Sequence, residues 1–194
     1  GGHVSSTREK RHKPRLIVHT GDGKGKSTAA FGMGLRSWAQ GWNVGVYQFV
    51  KSGKWKVGEK LAYETLAKAH EDNGVGGSIS WYTLGEGFTW LRSNDHTDQQ
   101  SLAQEGWDLV KRHLAEEKNR LYILDEFNHV LSRGWLDIDE VIDTLGRRTG
   151  NQNVVITGRK APKKLIDVAD LVTSMDKIKH PFDKGERGQA GIEW

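Results

Sequence analysis

The chain has 194 residues, no cysteine and a formal net charge of +4. That length fits one domain able to bury about 70% of its unfolded surface, and the lack of cysteine excludes disulfides, thiolate metal centres and a cysteine nucleophile. No apolar run approaches the ~20 residues needed to cross a bilayer and no secretory pattern is visible, so a cytoplasmic protein without a membrane partner is expected.

Residues 1–14 form a basic arm, in which Arg8, Lys10, Arg11 and Lys13 surround a single Glu9. It reads as a solvated segment or as a lid that steers anions. Residues 15–194 read as the folded domain. Leu16 to His19 predict a short apolar strand, followed by the glycine-rich run Thr20-Gly21-Asp22-Gly23-Lys24-Gly25-Lys26-Ser27-Thr28. A helix is expected from Ser27 to about Ala39, ended by Gly41 as a residue tolerant of positive φ. Val44 to Val50 predict a second strand. Glu59 to His70 carry helical spacing through Leu61, Leu66 and Ala69. A loop at Asn73 to Gly77 precedes a third strand, Ile79 to Leu84.

After an irregular stretch from Gly85 to Trp90, Ser93 or Asn94 is placed to cap a helix reaching about Glu117. Its Ala103, Trp107, Val110 and Leu114 form one apolar stripe. Leu121 to Leu124 are a continuous apolar run that ends at Asp125-Glu126, the pattern of a strand buried on both faces. Asp137, with Glu140 three residues on, resembles a capping box for a helix to about Arg148. Val154 to Thr157 predict another buried strand, Pro162 starts a helix through Val168, and Leu171 to Ser174 a last strand.

Strands alternating with helices predict a single-domain α/β protein with a mostly parallel twisted sheet and helices on both faces. Together with the glycine run they predict a RecA-like P-loop fold. In such sheets ligands bind beyond the carboxyl ends of the strands, where both the glycine run and Asp125-Glu126 fall.

The pattern for a phosphate-cradling loop is G-x-x-x-x-G-K-[S/T]. Gly25-Lys26-Ser27 fits its end, while Thr20 stands where the first glycine belongs and implies ordinary negative φ there. Gly21, Gly23 and Gly25 free the backbone N–H groups to face an anion, continued by the start of the following helix. Lys26 adds a charge toward the phosphates, the Ser27 hydroxyl can ligate Mg²⁺, and Lys24 and Thr28 add donors. The carboxylates of Asp125 and Glu126 suit Mg²⁺, although Glu126 is equally placed as a base for water in an ATPase. Arg36, on the loop's own helix, and Arg159, after a strand end, are candidates to clamp phosphate. Phe88 and Trp90, just after Gly85 and Gly87, are either core residues or a ligand platform. The scattered histidines show no metal-ligand spacing.

The glycine run with Ala29-Ala30-Phe31-Gly32, Asn43 to Val46, Gln48 to Lys51, Gly87-Phe88-Thr89-Trp90, Leu124-Asp125-Glu126 and Ile156-Thr157-Gly158-Arg159 resembles the ATP:corrinoid adenosyltransferases of the cobalamin pathway. Lys179 to Asp183 and Gln189 to Glu193 are similar to that family's C-terminal pattern. The family also begins its loop with threonine.

The resemblance implies a transferase in which the Co(I) of a corrinoid attacks the 5′-carbon of ATP and triphosphate leaves. ATP then lies along Thr20 to Thr28 in the reverse direction, and Lys26, Arg36 and Arg159 stabilise the leaving group. It implies Mg²⁺, or Mn²⁺ in its place, held by Ser27 and Glu126 with Asp125 in second position. Phe88 and Trp90 displace the axial ligand beneath the corrin, which eases reduction of Co(II). An external flavin-type reductant and a homodimer are implied as well, and no nucleic-acid partner.

Overall fold

The computed structural model describes residues 13–51, 58–84 and 98–194. Six strands, β1 (Leu16–Thr20), β2 (Val44–Lys51), β3 (Ile79–Leu84), β4 (Leu121–Asp125), β5 (Asn153–Thr157) and β6 (Leu171–Ser174), form one sheet in the order β3-β2-β4-β5-β1-β6. Every pairing among them is parallel, so the expected mostly parallel sheet is parallel throughout its described strands. Among the described residues six α-helices accompany it: α1 (Lys26–Ala39), α2 (Gly58–Asn73), α3 (Gln99–Ala115), α4 (Phe127–Ser132), α5 (Ile138–Gly146) and α6 (Lys163–Val168).

The alternation of side chains along each strand divides the core in two. One face meets α1 and α2, through Ala30, Phe31 and Tyr63 against Ile17, Val46, Ile123 and Val155. The other packs α3, α4, α5 and α6 through Trp107, Val130, Leu145 and Leu165. All five residues of β1 and of β4 are buried, as expected of strands covered on both sides. The α3 stripe of Ala103, Trp107, Val110 and Leu114 is buried as its spacing predicts.

Three local expectations need correction. The N-cap of α3 is Asp98, whose carboxylate accepts from the Gln100 amide at 2.9 Å; Ser93 and Asn94 lie outside the described residues. In α2, Leu61 is 72% exposed, and the helix is anchored instead by Tyr63, whose hydroxyl donates to the Phe31 carbonyl. Leu61 is an apolar residue on the solvent side, which periodicity cannot separate from a core position. Asp137 does cap α5 by accepting from the Asp139 and Glu140 amides. Glu140 does not complete the box, because its carboxylate takes the Trp107 indole N–H at 2.7 Å and the Lys111 ammonium at 3.0 Å.

Helix α4 was not expected. Glu126 enters it at φ 60°, so the chain leaves β4 through a left-handed residue and turns directly into helix. No helix among the described residues is long and apolar enough to cross a membrane.

Candidate nucleotide site

β1 ends at Thr20, and the reversal starts one residue later at Gly21, with φ 97°. Thr20 keeps the negative φ expected of it, and its hydroxyl accepts the Ala161 amide at 3.0 Å. That bond ties the start of the loop to the segment after β5, where Arg159 lies. Gly25, at φ 111°, precedes α1 and offers no side-chain cap, which leaves the first N–H groups of the helix open to an anion.

Gly21 and Gly23 have a further role, because the chain after β6 runs against the back of the loop. The Gly23 amide donates to the Met175 carbonyl at 2.7 Å. A Cβ on Gly21 would sit 2.5 Å from that carbonyl oxygen, and one on Gly23 would sit 2.6 Å from the Asp176 carbonyl oxygen. Lys24 points the same way, 3.6 Å from the Glu193 carboxylate and 5.3 Å from the centre of the Phe182 ring. Lys24 is thus drawn to the C-terminal segment, and Thr28 is exposed in the first turn of α1.

In front of the loop a buried polar row crosses five strands. Strand pairing sets Thr83 opposite Gln48, Gln48 opposite Asp125, Asp125 beside Thr157, and Thr157 opposite His19. All five lie on the α1 face, one step above its apolar residues. Ser27 donates its hydroxyl to Asp125 Oδ1 at 2.6 Å and Thr157 donates to the same oxygen at 2.9 Å. Gln48 Nε2 faces Oδ2 at 3.4 Å. The Glu126 amide donates to the Thr157 hydroxyl at 3.0 Å. His19 Nδ1 lies 3.1 Å from the Lys26 carbonyl oxygen, at the start of α1. The other buried histidine among the described residues, His113, meets the Tyr47 hydroxyl at 2.6 Å and so is structural.

Lys26 bends back so that its ammonium donates to the Gly23 carbonyl at 2.5 Å. Burial lowers its pKa, and so does Arg159, against the opposing pull of Glu126 and Asp22. Burial raises the pKa of Glu126, as does Asp125, while Lys26 and Arg159 act the other way. Lys26 and Arg159 thus both act electrostatically on the Glu126 carboxylate. Gly158, at φ 130°, keeps the Arg159 segment close: Glu126 Oε2 is 3.5 Å from where its Cβ would be.

Of the expected site residues, the fold brings together the loop from Thr20 to Ser27, Asp125, Glu126 and Arg159. It does not bring Arg36. Nine residues beyond Ser27 on a straight helix is about 13 Å, and Arg36 lines a cleft of about 700 Å³ with Arg15, Trp42 and Arg120, at the opposite ends of the strands. There it complements the C-terminal dipole of α1. Phe88 and Trp90 lie outside the described residues.

The donor set is all oxygen: one hydroxyl, one carboxylate already oriented by three donors, and one that accepts no hydrogen bond among the described residues. This fits a hard divalent cation that completes its shell with phosphate oxygens and water. No cluster of three or more His, Asp or Glu able to hold a metal occurs among the described residues, so the protein alone would supply only part of such a shell.

The family described as "ATP:corrinoid adenosyltransferase BtuR/CobO/CobP" matches residues 12–194. A corrinoid adenosyltransferase of a Sinorhizobium species is 42% identical over 183 residues, covering 94% of this chain and 81% of that protein. One from Pseudomonas aeruginosa is 37% identical, covering 92% of this chain and 83% of its own. The corrinoid adenosyltransferase CobA of Salmonella typhimurium is likewise 37% identical, with 92% and 85% covered.

Proposed function

Because the chain belongs to the ATP:corrinoid adenosyltransferase family, we propose that the loop from Thr20 to Thr28 grips the triphosphate of ATP as a leaving group. The protein is a transferase that moves the 5′-deoxyadenosyl group of ATP to a corrinoid in the cobalamin pathway. Nothing favours ATP hydrolysis with Glu126 as base. The observation that carries the site reading is the convergence of Lys26, Ser27, Asp125, Glu126 and Arg159 at one carboxyl edge of the sheet.

The chemistry asks little of a base. Co(I) of the corrinoid is itself the nucleophile: its electron pair forms the Co–C5′ bond while the C5′–O bond breaks and that pair leaves on the triphosphate. The protein must hold C5′ in line and stabilise charge growing on the leaving group. Lys26 and Arg159 supply positive charge, and the loop and α1 amides supply donors. Mg²⁺, or Mn²⁺ in its place, would be held by Ser27 and Glu126, with Asp125 behind Ser27, and supplies further positive charge against the phosphates. Glu126 is well suited to this part, since a nearby cation relieves the burial and repulsion that disfavour its ionised form. Arg36 has no part at the loop of its own chain.

We read Phe88 and Trp90 as the pair beneath the corrin, and residues 1–14 as an arm preceding a single nucleotide-binding domain at 15–194. The reading includes a cytoplasmic homodimer that takes its electron from an external flavin-type donor.

The test is to incubate the protein with MgATP and a chemically reduced corrinoid, then analyse both products. Adenosylated corrinoid and intact triphosphate in equal amounts are expected. Orthophosphate without adenosylation would replace this reading with the ATPase.

A further inference from the structure

We propose that Gln48 is a positioning residue for the transfer, one that fixes the direction of the Asp125 carboxylate and, through it, of the Ser27 hydroxyl. The proposal rests on the reading of Ser27 and Asp125 as the metal side of the triphosphate site.

Gln48 is the last residue of β2 in regular register with both neighbours, since the pairing with β3 shifts between Gln48 and Lys51. It is buried at 6% exposure, so each end of its amide needs a partner. Its Oε1 receives the Trp81 indole N–H at 3.1 Å and the Thr83 hydroxyl at 3.0 Å. The indole N–H, which can only donate, is shared between Gln48 Oε1 and Thr83 Oγ1 at 3.2 Å, so the carbonyl end of the amide faces Trp81. The amide cannot flip without setting donor against donor. Its NH₂ is therefore committed to Asp125 Oδ2.

This divides the work of the Asp125 carboxylate. Oδ2 is held by Gln48, which leaves Oδ1 to receive Ser27 and Thr157. With its proton committed to Oδ1, the Ser27 oxygen has its lone pairs turned away from the sheet, toward the space in front of the loop. Neither Trp81 nor Thr83 reaches that space. They act by locking Gln48, which acts by locking Asp125.

Gln48→Glu is the informative change. It keeps the volume and an acceptor for Trp81 and Thr83, and replaces the donor that faces Asp125 by an acceptor carrying negative charge. The measurement is ATP affinity by calorimetry, with Mg²⁺ and with chelator, on the full chain, alongside the thermal midpoint. We expect the advantage of MgATP over metal-free ATP to fall by about tenfold, the scale of one hydrogen bond to a charged group. Metal-free ATP affinity should hold within about twofold, as the phosphate donors are untouched.

Asp125→Asn is the control, and the double variant should lose no more than Asp125→Asn alone. An unchanged MgATP advantage in Gln48→Glu while Asp125→Asn loses it would overturn the role of Gln48. So would losses that multiply in the double variant. If Asp125→Asn itself leaves the advantage intact, the assignment of Asp125 fails, and the role of Gln48 with it.

Discussion

Ser27 and Asp125 stand 98 residues apart in sequence, and their side chains meet at 2.6 Å. Ser27 opens α1 behind the glycine loop, and Asp125 ends β4, two strands away from β1. Their bond joins the phosphate loop to the carboxylate end of the sheet. With Ser27 as the proposed metal ligand, Ser27→Ala should raise the Mg²⁺ concentration needed for half-maximal adenosyl transfer by about tenfold, as that oxygen and its orienting bond are lost. Ser27→Thr should restore it. A metal titration of the three proteins decides, and equal half-saturation in all three would remove Ser27 from the metal side.

Lys26 differs in kind, because in the proposed site its charge is the part that meets phosphate directly. Lys26→Met is expected to lower kcat/KM for ATP by about a hundredfold, as for loss of one donor to a developing anion. The factor should be the same whether cobalt starts as Co(I) or Co(II). A loss seen only from Co(II) would move Lys26 to the reduction step.

Trp90→Ala should behave in the opposite way. On the proposed placement of Trp90 beneath the corrin, its loss exposes an axial position, which makes Co(II) harder to reduce but leaves preformed Co(I) reactive. The loss in rate should therefore be greater from Co(II) than from Co(I), and equal losses would reduce Trp90 to a packing residue.

His113 gives the fold a pH dependence separate from the site. Burial, followed by Lys118 and Arg112, lowers its pKa to about 4. The Asn119 side-chain amide donates to the Tyr47 oxygen at 3.1 Å, so the Tyr47 proton goes to His113 Nδ1, which holds the ring neutral. Between about 4 and the ordinary value of 6.5, the unfolded chain binds a proton that the folded chain refuses. Stability from this group is complete above 6.5 and is lost as pH falls toward 4. Urea unfolding across that window should show a slope approaching 1.4 kcal/mol per pH unit, about one proton's worth. His113→Asn should flatten it, and an unchanged slope would assign the proton to another group.

Gly23→Ala should act on the far side of the loop. The added methyl meets the Asp176 carbonyl at 2.6 Å, so the segment after β6 must move. About 1–3 kcal/mol of stability should be lost, with faster hydrogen exchange at the Gly23 amide. Gly32 in α1 is the contrast: its Cβ would meet nothing within 4 Å, and Gly32→Ala should stabilise by about 1 kcal/mol. If both substitutions behave alike, backbone entropy and not the tail contact is at issue.

Much of this was legible in order along the chain. Buried strands such as Leu121 to Asp125 are announced by unbroken apolar runs, and the loop by its glycines and Lys26-Ser27. What was hidden depends on lateral register. Thr83, Gln48, Asp125, Thr157 and His19 are unremarkable polar residues until strand pairing sets them side by side, and no local pattern reports that. Gly21 and Gly23 were read for phosphate alone, because a backbone arriving from residue 175 leaves no trace near residue 21. Arg36 was legible in principle: the rise of an α-helix already carries it away from its own loop. Leu61 shows the converse limit, an apolar residue whose face only tertiary packing decides.

The threonine at the start of the loop has one more consequence. Its hydroxyl anchors Ala161, and its carbonyl accepts the Met175 amide at 2.9 Å, so Thr20 belongs to the rigid sheet in its main chain and its side chain alike. The chain then reverses at Gly21, one step along. Thr20 thereby couples the entry of the glycine run to the Arg159 segment on one side and to the residues after β6 on the other. In the proposed site a triphosphate would meet two walls that share one anchor, and a substitution at Thr20 would disturb both.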